Sequence, residues 1–265
     1  MKKMLLLLLP LCLFANQLPF VILIPSYNNE KFCEENLFSA LNQNYCNYRI
    51  LYVNDASTDN TLNLVESFIE KNDAKNRVQL IDNPKRRYSL ANIYYTIHNE
   101  VSDEEIVVML DGDDELAHPN VLNVLNSVYQ NKEREIWLAY SNFQCKKSKE
   151  KGWGRTFPDE IVKRNKFRSY VHIPTHVRTF YGWLFKRIAK QDLLYRGDFY
   201  KMTGDSAIIL PMLEMARDHH TFINKILYIY NDQNPISDHQ INWKKQMDYN
   251  KHIRKRAPYS PIEAP

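Results

Sequence analysis

Glycine is scarce in this sequence, with 6 among 265 residues. This scarcity excludes collagen-like and linker-rich architectures. No glycine-rich loop of the GxGxxG or P-loop type is present, which argues against a dinucleotide site or a Walker-type nucleotide site. There is also no repeat with a period of about 20 to 50 residues, so a solenoid is not expected. With 44% hydrophobic and 25% charged residues, the composition predicts an ordinary globular protein with a sizeable core.

The sequence also lacks a strong excess of one charge. It has 35 basic and 31 acidic residues, or +4, and without residues 1–15, which contain Lys2 and Lys3, the balance is 33 to 31, or +2. This balance does not indicate a nucleic-acid partner. The basic residues cluster locally, and we interpret the clusters as solvated loops or helix faces, or else as points of peripheral contact with phosphate groups or an anionic membrane. These clusters are residues 146–155, 163–168 and 251–256.

Cysteine is rare, with 4 residues in the chain. Outside the first fifteen residues these are Cys33, Cys46 and Cys145, whose spacing is unlike that of a metal site. At most one disulfide is therefore expected among them, and buried free thiols are the alternative.

Residues 1–15 have the pattern of a secretory signal peptide, because two lysines precede an apolar run and Ala15. The run is short for a bilayer span and is interrupted by Pro10. We therefore expect the protein to be exported or membrane-associated, and cytoplasmic otherwise.

Short apolar runs alternate with helical patterns after Pro19, which is typical of βαβ units. Continuous apolar runs suit strands that are covered on both faces of a mostly parallel sheet. The predicted strands are residues 20–24, 49–53, 78–82, 106–110, 136–141 and 226–231. The sequence thus predicts an α/β fold with an open, mostly parallel central sheet flanked by helices.

The second half is less regular. We predict a mobile loop at 144–170, an aromatic helix at 178–189 and an apolar helix within 202–216. One domain over 18–240 is expected, with a first half to residue 143, a second half from 144, and a basic tail containing prolines at 241–265.

Three aspartates and a glutamate follow the fourth strand in "VVMLDGDDEL". In a parallel sheet, ligands bind beyond the carboxyl ends of the strands. Asp111 and Asp113 are spaced to hold one divalent cation such as Mn²⁺ or Mg²⁺, which takes one or two carboxylates and completes its shell with phosphate oxygens and water. The alternative is a solvent-exposed turn in which Asp113 or Asp114 caps the next helix.

Polar groups follow the other strands as well. Asp55 is placed to accept a hydrogen bond from a nucleobase N–H, or to cap a turn. Tyr27 is a candidate for contact with the base, and Glu30 for contact with a sugar hydroxyl. The basic residues after the third strand, Lys85, Arg86 and Arg87, are candidates for neutralising phosphate, or form a solvated cluster.

Together, "VILIPSYNNEKFCEENLFSALNQNY", "ILYVNDASTDNT" and "IVVMLDGDDEL" resemble the family 2 glycosyltransferases of the GT-A fold. The resemblance covers about residues 20 to 130. It implies a nucleoside-diphosphate sugar as donor, a UDP-sugar first of all, a divalent metal, inversion at the anomeric carbon, and a carbohydrate, lipid or protein hydroxyl as acceptor.

Carried over to this sequence, the resemblance assigns nucleotide-sugar binding to six residues, of which Asp111 is also a metal ligand. They are Pro25, Tyr27, Glu30, Asp55, Arg87 and Asp111. Asp113 matches the principal metal ligand, and His239 is a candidate for a late metal or phosphate contact. The chain departs from the family at "NPKRRYSLANIYYTIHN", where Arg87 and Asn92 stand in place of an "ARN"-type stretch.

An inverting transfer needs a base that takes the proton of the acceptor hydroxyl. The resemblance places Asp205, in front of an apolar helix, in this role, with a helix cap as the alternative interpretation and Glu214 as the alternative base. The acceptor pocket is expected near three residues that are otherwise core residues: His176, Arg178 and Trp183.

Two other functions fit less of the sequence. A nucleotidyltransferase would normally have a glycine-rich loop with a basic residue near its start, and "IPSYNNEKF" has none. A secreted glycan-binding protein without turnover would explain the signal-like segment, because nucleotide sugars are scarce outside the cytosol.

Overall fold

The structure, a computed structural model, describes residues 17–171, 174–234 and 243–265. The signal-like segment at 1–15 and His239 lie outside these residues. None of the helices among the described residues has the length and apolar character that a bilayer crossing needs.

Among the residues that the structure describes, ten strands form the framework of the fold. They are β1 (Phe20–Ser26), β2 (Tyr48–Asn54), β3 (Val78–Asp82), β4 (Ile106–Met109), β5 (Glu115–Leu116), β6 (Leu138–Cys145), β7 (Arg178–Tyr181), β8 (Leu194–Tyr195), β9 (Asp198–Phe199) and β10 (His220–Tyr230). Strands β8 and β9 make a small hairpin, and the other eight form one sheet in the order β3-β2-β1-β4-β7-β6-β10-β5. In this sheet β7 and β5 run opposite to the rest. The predicted mostly parallel sheet is confirmed.

Within the described ranges, eight α-helices cover the two faces of the sheet. They are α1 (Cys33–Leu41), α2 (Thr61–Lys71), α3 (Ser89–Glu100), α4 (Val121–Tyr129), α5 (Asp159–Lys163), α6 (Gly182–Lys186), α7 (Gly204–Ala216) and α8 (Trp243–Lys255). One core lies on the side of α1, α2 and α4, and the other lies on the side of α3, α6 and α7. Both faces of the central strands are therefore buried, which explains why β1 and β4 read as unbroken apolar runs.

The predicted aromatic helix at 178–189 is wrong in its first half. Arg178–Tyr181 forms β7, which pairs antiparallel with β4 on one side and β6 on the other, and only Gly182–Lys186 is helical. Thr179 and Phe180 are fully buried in this strand. The central position in the sheet overrides a helical periodicity that was read from a short aromatic segment.

The predicted mobile loop at 144–170 is also wrong. It contains α5 and a 3₁₀ turn at Phe167–Ser169, and Phe157 and Phe167 belong to the core. The C-terminal tail is likewise part of the core, since Tyr249 and Ile253 of α8 are buried there. The boundary expected at residue 143 falls inside β6, so the two halves share one sheet.

A buried ion pair joins these later segments. Nε and Nη2 of Arg168 donate to the two carboxylate oxygens of Glu214 at 2.7 and 2.9 Å, and the two side chains are 8% and 0% exposed. The N–H of Tyr259 donates to the same carboxylate at 3.0 Å. Glu214 therefore has a structural role and is not the base. Arg168, predicted to lie on a solvated face, is buried.

We expect Glu214→Ala to lower the free energy of unfolding by about 3–5 kcal/mol, because it leaves the Arg168 charge buried without a partner. The control is Glu160→Ala, which removes an exposed pair with Arg164 whose side chains are 64% and 67% exposed. This control should cost less than about 1 kcal/mol. Urea unfolding of both variants measures the difference, and equal costs would contradict a structural role for the buried pair.

Candidate functional site

The carboxyl ends of β1, β2 and β4 meet at one edge of the sheet, with Ser26 at its centre. The carbonyl of Ser26 accepts the N–H of Asp55 at 2.9 Å. Its hydroxyl accepts hydrogen bonds from the Tyr52 hydroxyl at 2.7 Å and the Asn29 amide at 3.0 Å. A Cβ added at Gly112 would come within 2.6 Å of that hydroxyl oxygen, so the acidic loop lies directly on Ser26 and needs glycine there. The loops of Asp55 and of the acidic cluster therefore lie on either side of one residue.

Asp114 has a structural role within the acidic cluster. It is buried, and its carboxylate accepts hydrogen bonds from the Tyr228 hydroxyl at 2.7 Å and from the Asn231 N–H at 2.6 Å. The next helix, α4, has no side-chain cap. The alternative interpretation of Asp113 or Asp114 as its cap is therefore wrong.

Asp111 and Asp113 are the carboxylates left to act on a ligand. Desolvation and the neighbouring charge of Asp113 raise the pKa of Asp111 to about 6. Although its carboxylate lies deep in the cleft, 45% of its side-chain surface is exposed. Burial also raises the pKa of Asp113. A hydrogen bond of 2.6 Å from the Asn234 amide acts in the opposite direction and lowers this pKa. A divalent cation would stabilise the charged forms of both residues.

Without a bound ligand, the side chains at this edge supply only part of the coordination shell of a metal ion. In the described parts of the chain, no group of three or more His, Cys, Asp or Glu side chains is arranged to hold a metal ion. Two carboxylates nevertheless match the usual protein contribution to a Mg²⁺ site, in which phosphate oxygens and water complete the shell. The assignment of Asp111 and Asp113 as ligands thus depends on a bound diphosphate.

Asp205 faces the acidic cluster across Arg178. It lies in the first turn of α7, and its carboxylate accepts a hydrogen bond of 3.1 Å from Nη2 of Arg178. The Arg178 side chain is 12% exposed, and its Nε donates to the carbonyl of Pro174 at 2.9 Å. Arg178 lowers and Asp205 raises the pKa of Asp111, so the three charges surround one cleft. Asp205 is half-buried and open to this cleft, with 41% of its side chain exposed.

His176 forms the wall between these groups. Its ring stacks on Tyr228 with centroids 4.6 Å apart, and its Nδ1 lies 3.9 Å from Oδ2 of Asp111. Burial, together with the charge of Arg178, holds the pKa of His176 well below its usual range. His176 is therefore a neutral ring near pH 7, and it borders the cleft as the sequence indicated.

Asp55 is buried and organises the loop that follows β3. Its carboxylate accepts hydrogen bonds from the N–H groups of Arg87 and Tyr88 at 2.7 and 2.8 Å and from the Asn83 amide at 3.2 Å. Tyr88 has φ of 68°, a conformation that is unusual for a bulky residue. A carboxylate has about four lone-pair sites. Three of these sites are used by the protein, and the base-binding role of Asp55 stays a prediction.

The other nucleotide-binding candidates are dispersed along the same edge. Pro25 is buried within β1. Arg86 covers one face of the Tyr27 ring, with Cζ 3.6 Å from the centroid. Glu30 is exposed, and its carboxylate accepts the N–H of Asn60 at 3.1 Å at the start of α2. The Arg87 guanidinium lies 5.5 Å from the centroid of Tyr95, on the α3 side.

Two further candidates belong to the interior, namely Trp183, expected near the acceptor pocket, and Asn92, in the stretch that stands in place of the family's "ARN" pattern. Trp183 is buried against Trp137, with ring centroids 5.0 Å apart, so it does not line a sugar pocket. Asn92 is buried in α3, where its Oδ1 accepts a hydrogen bond of 2.8 Å from the Asn83 amide.

Sequence reasoning missed the residues that support the acidic loop. The buried Asn36 amide donates to the carbonyls of Asp111 and Asp114 at 2.9 and 2.7 Å. Tyr228, Asn231 and Asn234 come from β10 and the turn after it, far away in the chain. The one available signal was Asn36 itself, an amide on the apolar face of a helix.

Two other concave regions lie elsewhere. One of about 540 Å³ lies between α4 and β10, and one of about 450 Å³ lies beside α5 and the start of β10. Neither is lined by Asp111, Asp113 or Asp205. The candidate site is therefore identified by its charged side chains.

Asp114 and Asp111 should respond in opposite ways to loss of charge. Asp114→Asn disrupts hydrogen bonds to a buried hydroxyl and a buried N–H, and should lower the free energy of unfolding by about 1–3 kcal/mol. Asp111→Asn removes a repulsive charge and should leave the stability unchanged or higher. Thermal unfolding of metal-free protein, prepared with EDTA, compares the two, and a larger loss for Asp111→Asn would invalidate this division of roles.

Comparisons with known proteins give a family match. The family model described as "Glycosyl transferase family 2" matches residues 21–194. An "Uncharacterized glycosyltransferase" of Haemophilus influenzae is 30% identical over 122 residues, which are 46% of this chain and 46% of that protein. The chain thus matches less than half of that curated relative.

Solved structures share the fold. S. aureus TarS (residues 1–349) has a TM-score of 0.59 at 16% identity, covering 81% of this chain and 60% of that chain. The mannosyltransferase PcManGT from Pyrobaculum calidifontis has a TM-score of 0.56 at 15% identity, covering 81% and 57%. The expected GT-A architecture is confirmed by these similarities.

Proposed function

Because the chain belongs to glycosyl transferase family 2, we propose that it transfers a sugar from a nucleoside-diphosphate sugar to a hydroxyl group of an acceptor. One observation carries the proposal. Asp111 and Asp113 lie at the sheet edge with raised pKa values, and Asp205 faces them across the same cleft. Two carboxylates for a metal-bound diphosphate and a third for the acceptor proton are what such a transfer needs.

We propose that the donor is a UDP-sugar and that the metal is Mn²⁺ or Mg²⁺. Structures of TarS have been solved with UDP and with UDP-GlcNAc, and PcManGT has been solved with GDP-Man and Mn²⁺. In this chain Asp111 and Asp113 would hold the metal. When bound, it would neutralise the diphosphate that leaves. Asp55 and Tyr27 would lie on the same edge, on the side of the nucleobase.

Asp205 would take the proton of the acceptor hydroxyl. The acceptor oxygen forms a bond to the anomeric carbon while the bond to the diphosphate oxygen breaks on the opposite face, which inverts the configuration. Arg178 fixes Asp205 toward the cleft through their hydrogen bond of 3.1 Å. The neutral ring of His176 beside Asp111 excludes water from that side without adding a positive charge.

Asp205→Asn should keep the affinity for UDP with Mn²⁺ within about twofold and lower the transfer rate by roughly 10² to 10⁴, the usual effect of a lost general base. Release of nucleoside diphosphate from a panel of UDP-sugars, with product analysis by mass spectrometry, measures the rate. Asp103→Asn is the control, because Asp103 is exposed and pairs with Lys186 far from the cleft. Transfer at the wild-type rate in Asp205→Asn would reject this base. Pyrophosphate released from a nucleoside triphosphate supplied together with a sugar 1-phosphate would instead indicate nucleotidyl transfer.

Asp113→Ala should abolish the part of UDP binding that depends on Mn²⁺, because it removes one of the two carboxylates of the metal site. Calorimetric titration of UDP with Mn²⁺ and with EDTA separates this part from metal-independent binding. If wild-type protein shows no UDP binding at millimolar concentration, a glycan-binding protein without turnover is the better interpretation.

A further inference from the structure

Four exposed cations lie over aromatic rings beside the cleft. The Arg86 guanidinium lies 4.5 Å from the centroid of Tyr88, and Nζ of Lys201 lies 4.9 Å from the same centroid. The Arg87 guanidinium and Nζ of Lys190 lie 5.5 and 5.4 Å from the centroid of Tyr95. We define the cationic strip as Arg86, Arg87, Lys190 and Lys201.

The positive charges of the strip are not paired with carboxylates in the part of the chain that the structure describes. All four side chains belong to exposed residues. Among the described residues, no carboxylate lies within 4.0 Å of any of the four cationic groups. Asp192, two residues after Lys190, is bound instead by Arg256 and by the Tyr259 hydroxyl. The positive field of the strip is therefore directed to solvent.

The aromatic rings hold the cations in place. A cation over a ring face is stabilised by the ring quadrupole while its outer side stays open to an anion. The backbone beneath Arg86 and Arg87 is fixed as well, because Asp55 accepts the N–H groups of Arg87 and Tyr88. Less side-chain and loop freedom is then lost when a ligand binds.

The two lysines form the end of the strip that is nearer to Asp205, whereas Arg86 and Arg87 lie beside Asp55 and Tyr27. Lys201 precedes Asp205 by four residues, in the segment that leads into α7. The start of α7 packs on the start of α3, where a Cβ added at Gly204 would lie 3.2 Å from Cβ of Leu90. A chain that presents its hydroxyl to Asp205 would therefore pass along the strip, whereas the donor diphosphate belongs at Asp111 and Asp113.

We propose that the lysine end of the cationic strip, Lys190 and Lys201, binds the acceptor, and that this acceptor is a glycan bearing anionic groups near the hydroxyl that receives the sugar. This inference rests on the proposed function, because only a transferase makes the bound glycan an acceptor. The strip's affinity for an anionic glycan can be measured without turnover.

The test compares dextran sulfate with neutral dextran of the same chain length by calorimetry. The variant is Lys190→Glu with Lys201→Glu, which leaves the residues near Asp55 unchanged. The control is Lys132→Glu with Lys225→Glu, which makes the same change in net charge at exposed positions elsewhere. Unfolding midpoints confirm that both proteins are folded, and UDP with Mn²⁺ is titrated into each.

We expect wild-type protein to bind dextran sulfate and not neutral dextran, with affinity that falls steeply as salt is raised. The variant should bind about tenfold more weakly or worse, whereas the control stays within about threefold and UDP affinity is unchanged in both. Equal weakening in variant and control, or equal binding of neutral dextran, would overturn the proposal.

A parallel loss of UDP affinity in the variant would also overturn it, because the strip would then belong to the donor site. If wild-type protein fails to bind UDP while the dextran sulfate results hold, the proposed transferase function fails and the anionic-glycan surface remains.

Discussion

Repulsion within the acidic loop is the constraint on which the site depends. Three carboxylates follow β4 within four residues, and two unit charges about 5 Å apart repel by roughly 3 kcal/mol at an effective dielectric near 20. The fold relieves this by giving the three groups different partners. Asp114 receives two protein hydrogen bonds, Asp113 receives one, and Asp111 faces Arg178 across the cleft. The negative charge of Asp111 and Asp113 that these partners do not balance is the charge that a divalent cation can neutralise.

Support for the acidic loop comes from β10, which follows it by more than a hundred residues. The Tyr228 hydroxyl accepts the N–H of Asp111 at 3.1 Å and donates to Asp114. Asn231 and Asn234, in the turn after this strand, bind Asp114 and Asp113. Since β10 also pairs with β5, which follows the loop directly, the loop is held at both ends. The chain's second half therefore fixes the acidic loop at the sheet edge.

Local sequence patterns predicted the parts of the fold that depend on local chemistry. The strands β1, β2 and β4 were found because both of their faces are buried, and β3, at the edge of the sheet, was found as a short apolar run. Asp111, Asp113 and Asp55 were singled out because polar groups at parallel strand ends meet at one edge. Asn36 and Tyr228 were missed because their hydrogen bonds join distant segments, which periodicity does not report. Arg168 was read as solvated for the same reason, since its partner Glu214 lies 46 residues away. The roles of Tyr27, Glu30 and Asp55 toward a nucleotide depend on a ligand and stay predictions.

The error at β7 shows how strand direction places a functional residue. β7 is antiparallel to β4, so its first residue pairs with the last residue of that strand: Arg178 lies opposite Met109, two residues before Asp111. A parallel strand would have placed its carboxyl end there, and the helix predicted from the aromatic pattern would have separated Arg178 from the sheet edge. Because the strand is reversed, a cation at its start reaches Asp205 on α7 and the field of Asp111 together. The candidate base and the candidate metal ligands thus share a cleft through one central strand whose direction the local sequence did not reveal.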